Sequence, residues 1–415
     1  MIDAAEAKRL EALFATYRPG RGLERELYTD PGVYQADFER IFRRHWLFAG
    51  TGCMIPNKGD FHTWRIGSDT VLLVRGEDGQ VRAFHNTCRH RGMQVCAAEQ
   101  GRAQRLMCRY HGWTYGLDGR LMKDTAKEFG VGREELGLKP IKLVEAADLL
   151  FVSFAENPPD FSGALADIRP KLGHHRLDRA KVAKAVSYDV RANWKIVWEN
   201  NRECYHCPTC HPDYTKATLD VPRFEPKRMA EVARVTKAAN DRFAALGLDQ
   251  GDQYSLMSGA FWRVHRAPMA EGWITQSIDG KPVSTLMGDL KERSFGTLRM
   301  SIFPNFWQHV SDDHAVATRI TPVAADRCRI DVWWLVDRDA VEGKDYTLDR
   351  LLPFWKDVSE QDWQICEDVQ AGISSSSYEP GPFSKVQETN VAHYLDWYIG
   401  EMTAKPPARR LKRVK

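Results

Sequence analysis

The sequence predicts an α+β chain in which a small all-β domain is inserted into a larger domain of antiparallel sheet and helices. Three observations predict it. Residues 1–45 mix charge with spaced apolar side chains, as amphipathic helices do. From Trp46 to Pro158 the texture changes to short strands broken by turns, and beyond it helical and alternating segments intermix. The expected division is therefore 1–45 as a helical part of the larger domain, 46–158 as the inserted β domain, and 159–415 as the remainder.

Taken in order, Leu10, Leu13, Phe14, Phe38, Ile41 and Phe42 supply the apolar stripe of the first helices. Asp60–Ile66 and Thr70–Val74 are rich in β-branched and aromatic residues. Glu77-Asp78-Gly79 and Leu117-Asp118-Gly119 supply hairpin turns. Leu149–Phe154 reads as a last buried strand, closed off by Asn157-Pro158-Pro159. Trp194 to Cys204 reads as a helix that partly buries Trp194, Ile196, Val197 and Trp198. Segments near 296–303, 315–322 and 328–336 alternate like antiparallel strands. Leu348 to Gly372 is helical in pattern and is broken by Tyr378-Glu379-Pro380-Gly381-Pro382. There is no internal repeat.

Composition narrows the function classes. The 415 residues suffice for two domains, or for one with an insertion. A formal charge of +3 is too small to imply a nucleic-acid partner. The basic tail Arg409, Arg410, Lys412, Arg413 and Lys415 reads as a solvated terminus. No apolar run approaches the ~20 residues of a membrane span, and Met1–Glu6 lacks the character of a signal peptide, so a cytoplasmic enzyme is expected. Nine cysteines, most of them beside histidines, favour metal ligation over disulfides in that compartment.

The strongest signal is Cys88-x-His90 followed by Cys108-x-x-His111. Zinc fingers pair cysteines at one end and histidines at the other. Here each loop offers one of each, the mixture a Rieske [2Fe–2S] cluster requires, with two thiolates on one iron and two imidazoles on the other. Gly92 and Gly112 permit close backbone approach to the sulfurs, Arg89, Arg91 and Arg109 interleave the ligands, and Trp113 supplies an apolar cover. Neutral imidazole ligands raise the cluster potential, which suits accepting electrons from a reductase.

A second constellation is Glu203-x-x-His206-x4-His211. Pro208 and Pro212 fit a helix end and a turn that aim both imidazoles at one centre. Two imidazoles and a carboxylate on one face of Fe(II) leave positions open for O₂. Spacing leaves the carboxylate open among Asp357, Asp362, Glu367 and Asp368. Cys204-x-x-Cys207-x-x-Cys210 superficially resembles iron–sulfur spacing but lacks a fourth cysteine, so free cysteines packed near the iron site are expected.

With both constellations in view, the chain resembles the Rieske ring-hydroxylating oxygenase α-subunits over nearly its whole length. Within them it is most similar to the branch that oxidises quaternary ammonium compounds, that of glycine betaine monooxygenase and stachydrine demethylase. Ala83–Gly92 carries the superfamily likeness, while Asn193–Cys207, Asp339–Gly343 and Pro380–Lys385 carry the likeness to the branch. The resemblance implies Asp362 as the third iron ligand, with Glu367 and Gln370 following it. It implies that Glu203 links an iron histidine to a cluster histidine of a neighbouring subunit, in a homotrimer. Electrons would come from NAD(P)H through a separate flavin and iron–sulfur reductase. The implied reaction is O₂-dependent hydroxylation of an N-methyl group with loss of formaldehyde. The alternative is hydroxylation or O-demethylation of an aromatic acid; a Rieske electron carrier without a mononuclear iron is a third reading. Pro208-Thr209, Cys210 and His265 depart from the branch pattern.

A permanent substrate cation calls for aromatic faces, at about 0.5–2 kcal/mol per cation–π contact. The candidates are Tyr205, Phe261, Trp262, Phe303, Phe306 and Trp307, each of which core packing would equally explain. A substrate carboxylate would want Arg263, His265, Arg266 or Arg299.

Overall fold

A computed structural model describes residues 4–122, 129–219, 226–248, 260–293 and 295–404. The basic tail read above as a solvated terminus lies outside the described residues. Strands β1 (Leu47–Thr51), β2 (Asp60–Ile66), β3 (Asp69–Arg75), β4 (Val81–His85) and β5 (Gln100–Arg102) belong to one antiparallel sheet with β8 (Pro140–Ala146) and β9 (Leu149–Ser153). Its order is β1-β9-β8-β4-β3-β2-β5, and a separate hairpin pairs β6 (Leu106–Met107) with β7 (Thr114–Tyr115). Both expected turns are present. Gly79 and Gly119 sit at φ +80° and +83°, where a side chain would be strained.

The second sheet has the order β10-β15-β14-β13-β12-β11. Its strands are β10 (Ala180–Val190), β11 (Trp262–Ala267), β12 (Thr297–Ile302), β13 (Phe306–Val310), β14 (Ala315–Ala324) and β15 (Arg327–Asp337). Three of these, β10, β11 and β13, go beyond the expected strands. β10 carries lysines on a half-exposed face, and β11 and β13 bury charged and polar side chains, so simple alternation fails.

One apolar core runs through both sheets. Phe48 of β1 lies 4.2 Å from Phe306 of β13, ring to ring. Asn305 closes the seam, its Oδ1 accepting from Phe48 N at 2.8 Å and its Nδ2 donating to Phe48 O at 3.2 Å. A smaller core of Leu72, Phe84, Tyr115, Leu117 and Leu121 underlies the Cys88 and Cys108 loops.

The amino-terminal helices pack on the larger unit, and Arg43, just after them, reaches Asp69 of the β unit at 3.0 Å. Phe42 meets Trp194 at 5.0 Å, and Phe14 meets Tyr398 at 6.4 Å. Asp37, fully buried, accepts from Trp194 Nε1 (2.9 Å), Lys195 Nζ (2.7 Å) and Tyr398 Oη (2.8 Å). A buried carboxylate survives only with such partners. Losing one of them would cost several kcal/mol, roughly 3–5 for a broken buried pair. The helix expected over 194–204 ends at Asn201. Glu203 accounts for the break: its carboxylate accepts from the backbone N–H groups of Tyr205 and His206 and starts a new turn. No described helix is long and apolar enough to cross a membrane.

Candidate metal centres and substrate cavity

The two loops of the β domain have the same backbone plan. Cys88 N donates to Met93 O and Gly92 N to Cys88 O; Cys108 N donates to Trp113 O and Gly112 N to Cys108 O. Gly92 and Gly112, at φ +78° and +71°, close these turns as only glycine does easily. The folded loops bring His90 Nδ1 to 3.1 Å from His111 Nδ1. Trp113 stacks on His90 at 5.0 Å and 6°, and Tyr115 Oη lies 3.3 Å from Cys88 Sγ. Both cysteines are buried, whereas His111 is exposed beneath Tyr110, 3.8 Å away ring to ring. Burial pushes the Cys108 thiol up, so holding it as a thiolate takes a bound cation. Two buried sulfurs and two outward imidazoles on matched loops fit a Rieske cluster.

The second centre sits between helices. His206 Nε2 and His211 Nε2 are 3.1 Å apart, and Asp362 Oδ1 lies 2.9 Å from His211 Nε2 and 3.3 Å from His206 Nε2. All three groups offer ligand atoms within 4.8 Å of one another. Of the four acidic candidates, Asp362 alone meets the histidines. Glu367 binds Arg191 at 2.6 Å, Asp368 accepts from Gln364 Nε2, and Asp357 is exposed. Gln370 Oε1 accepts from Asn193 N and anchors the neighbouring helix start.

Each imidazole is held from behind. Glu203 Oε1 contacts His206 Nδ1 at 2.5 Å, and Gln361 Oε1 contacts His211 Nδ1 at 2.7 Å. Such partners fix the ring orientation and the tautomer. Burial works against a charged His206, but Asp362 and Glu203 outweigh it and raise its pKa to about 10. Burial likewise works to raise Asp362, and its histidine partners hold it below the usual carboxylate range. The triad thus sets two imidazole nitrogens and a carboxylate oxygen around one point, as a metal-ligating set requires. Two imidazoles and one carboxylate fit Fe(II) with open positions.

The cysteine expectation requires correction. Cys204 and Cys207 form a disulfide with Cα atoms 4.9 Å apart, and Cys210 alone of the three is free. The tight turn started by Glu203 brings them within bridging distance.

A cavity of about 570 Å³ opens on the triad. Its floor is the face of β11, β12 and β13, on which two cross-strand rows align: His265–Arg299–His309 and Arg263–Ser301–Trp307. Its aromatic walls are Trp307, Trp355 and Tyr214. Of the six aromatic candidates only Trp307 lines it. Phe261, Phe303 and Phe306 are core residues, Trp262 donates to Asp167 at 2.9 Å, and Tyr205 is half exposed outside the lining. Arg263, His265 and Arg299 line the cavity, but Arg266 does not, since it bonds the carbonyls of Phe295 and Lys171. Burial first, and then Arg263 and Arg202, push His265 well down, so this unusual residue is a neutral donor and acceptor.

Sequence reasoning missed Gln361, Trp355, Tyr214, Arg202 and His309. Trp355, Val358 and Asp362 follow one another at helical spacing, so the ligand face could have named Trp355, whereas Gln361 only neighbours Asp362 in sequence. Arg202 and Tyr214 simply flank the histidines. His309 carries no sequence signal, because only the pairing of β12 with β13 brings it to the cavity.

Comparisons with known proteins agree with this geometry. The family model described as "Ring hydroxylating alpha subunit (catalytic domain)" matches residues 177–404, and that of the "Rieske [2Fe-2S] domain" matches residues 45–130. The chain is 39% identical over 382 residues to the glycine betaine monooxygenase oxygenase subunit of Pseudomonas aeruginosa PAO1, covering 92% of this chain and 89% of that one. It is 38% identical to the Chromohalobacter salexigens protein of the same name, covering 92% and 86%. The fold is shared with the quaternary ammonium Rieske monooxygenase CntA in complex with L-carnitine, at TM-score 0.68 and 20% identity over 94% of this chain and 98% of that one. It is shared equally with naphthalene 1,2-dioxygenase of Rhodococcus sp., at TM-score 0.68 and 19% identity over 98% and 100%. The chain therefore belongs to the ring-hydroxylating α-subunit family and is a Rieske non-haem iron oxygenase.

Proposed function

We propose that this chain is the oxygenase component of a monooxygenase that hydroxylates an N-methyl group of a betaine-like quaternary ammonium compound. The observation that carries the reading is one cavity that joins a two-histidine, one-carboxylate triad to the rings of Trp307, Trp355 and Tyr214, on a chain 39% identical to glycine betaine monooxygenase. In this reading Cys88, His90, Cys108 and His111 hold the cluster, and His206, His211 and Asp362 hold the iron. The segments 1–45, 46–158 and 159–415 serve as helical support, cluster domain and iron domain.

When bound, these groups supply single electrons and the activation of O₂ for oxygen insertion into a C–H bond. The chain's own residues do the rest. Glu203 and Gln361 hold the Nδ1 protons of His206 and His211, leaving both Nε2 atoms to face Asp362. Trp307, Trp355 and Tyr214 offer ring faces to the trimethylammonium, which positions one methyl. The hydroxylated methyl is a carbinolamine whose C–N bond breaks to release formaldehyde, a proton and the demethylated amine. Exposed His111 and Tyr110 give the cluster a way out to a partner surface, which supports a reductase contact and a homotrimer. Dependence on NAD(P)H fits a cytoplasmic setting.

The test is formaldehyde release and O₂ uptake by protein purified without air, supplied with Fe(II) and a compatible reductase, and offered betaines, carnitines and aromatic acids. Formaldehyde stoichiometric with O₂ from one quaternary amine is expected. O₂ uptake coupled only to aromatic acids would replace this reading with an aromatic-acid hydroxylase or O-demethylase.

A further inference from the structure

The cavity has a chemical asymmetry that methyl hydroxylation alone does not require. Among the described lining residues, the acidic ones are Glu203 and Asp362, and both are engaged with His206 or with the triad. Against them stand three arginines, Arg202, Arg263 and Arg299. Arg263 and Arg299 come from the floor rows, while Arg202 enters from the end of the Trp194–Asn201 helix, four residues before His206.

Arg202 is the most telling of the three. It is 7% exposed, and its Nη1 donates to Ser301 Oγ at 3.0 Å, in the row between Arg263 and Trp307. Its Nε and Nη2 have no hydrogen-bond partner, and no carboxylate pairs with it among the described residues. The ring of Phe303 lies 5.9 Å from its guanidinium carbon, which steadies the plane without neutralising the charge. A guanidinium so deeply buried is costly unless an anion meets it. Its two-nitrogen edge matches a carboxylate, which accepts two parallel N–H bonds.

We propose that Arg202 is the specificity residue that receives the substrate's carboxylate. This deepens the N-demethylase reading and rests on it for the placing of the methyl end. Substrates are thereby limited to quaternary amines that carry an acid group; their alcohol counterparts, equal in size and bearing the same cation, are rejected. Ser301 holds the guanidinium through Nη1, while the buried Nε and Nη2 edge has no hydrogen-bond partner to give up when a carboxylate binds.

The test compares glycine betaine with choline, and benzoate with benzyl alcohol, on the anaerobic holoenzyme. Equilibrium dissociation constants come from ligand-induced thermal shifts, and KM and kcat from formaldehyde release or coupled O₂ uptake. The wild-type protein should bind the acid of at least one pair 100-fold or more tighter than its alcohol. In Arg202→Gln that ratio should fall to within a few-fold, with the loss in Kd and KM and with the iron content and cluster absorption intact. Arg202→Lys keeps the charge but not the two-nitrogen edge, and should retain an intermediate preference. Equal binding of acid and alcohol by the wild type overturns the proposal, as does an unchanged ratio in either variant. The wild-type ratio and the lysine variant decide the matter if the glutamine variant fails to fold. Formaldehyde from choline and glycine betaine alike would leave N-demethylation standing and remove the arginine's role. An Arg202-dependent preference for benzoate, without formaldehyde from any quaternary amine, would keep the arginine's role and remove N-demethylation.

Discussion

Glu203 and Gln361 stand in matching places behind the two imidazoles, yet they differ in charge, and the difference predicts distinct phenotypes. Gln361 tethers His211 through a neutral amide at 2.7 Å. Gln361→Leu should weaken iron binding by about 10- to 100-fold, the usual scale for losing a partner of a ligating histidine. A chelator titration followed by iron analysis would show it, with the cluster absorption unchanged. Asp362→Ala removes the triad's carboxylate, so the isolated variant should contain the cluster without the mononuclear iron and should not turn over. Retention of both iron and turnover would overturn the ligand assignment. Glu203→Leu removes an anionic tether that also starts the turn carrying His206. Turnover should therefore fall at least 100-fold even where iron is restored in excess.

The helix Pro353–Ile373 shows how far an element can be read from its sequence. Its period was legible, and that period places Trp355, Val358 and Asp362 on one face. Spacing did not say which acid meets the histidines, since Asp357, Asp362, Glu367 and Asp368 lie on one helix, and only the family resemblance singled out Asp362. The cluster loops were legible because their chemistry is local: both cysteines, both histidines and both glycines fall within a few residues of one another. The cavity floor was not, because His265, Arg299 and His309 align only once β11, β12 and β13 pair. The Trp194–Asn201 helix offers a pH test. Glu199 accepts from Tyr28 Oη at 2.8 Å; Lys195 lowers its pKa, Glu388 raises it, and Tyr17, Tyr378 and Tyr394 feel its charge. Burial dominates and pushes its carboxyl up from 4.5 to about 7. Between those values the folded chain keeps a proton that the unfolded chain has released. The stability tied to Glu199 is therefore present below pH ~4.5 and lost as pH rises through about 7. Glu199→Gln should gain on the wild type between pH 5 and 7.5, by roughly 1–3 kcal/mol. Urea midpoints at the two pH values would measure it.

At the scale of the whole molecule, His111 is exposed whereas the His206, His211 and Asp362 triad opens on a cavity. If electrons pass between chains of a homotrimer, mixed assemblies of Cys108→Ser and Asp362→Ala should regain turnover that each parent lacks. Light scattering should give three times the mass of one chain. Mixtures that stay inactive would confine the transfer to a single chain. The continuous core beneath both sheets, with Asn305 bonded to the β1 backbone, predicts that the cluster domain and the iron domain unfold in one transition, and two resolved calorimetric transitions would contradict it. The Asp37 node bears on how the chain is made. One carboxylate waits for a lysine 158 residues later and a tyrosine 361 residues later. Ribosomal synthesis at about 5–20 residues per second delivers that tyrosine only after some tens of seconds. Until then the Asp37 carboxylate lacks one of the three donors that hold it, so a chain cut short of Tyr398 should close its iron domain less firmly than the full chain, which limited proteolysis would show.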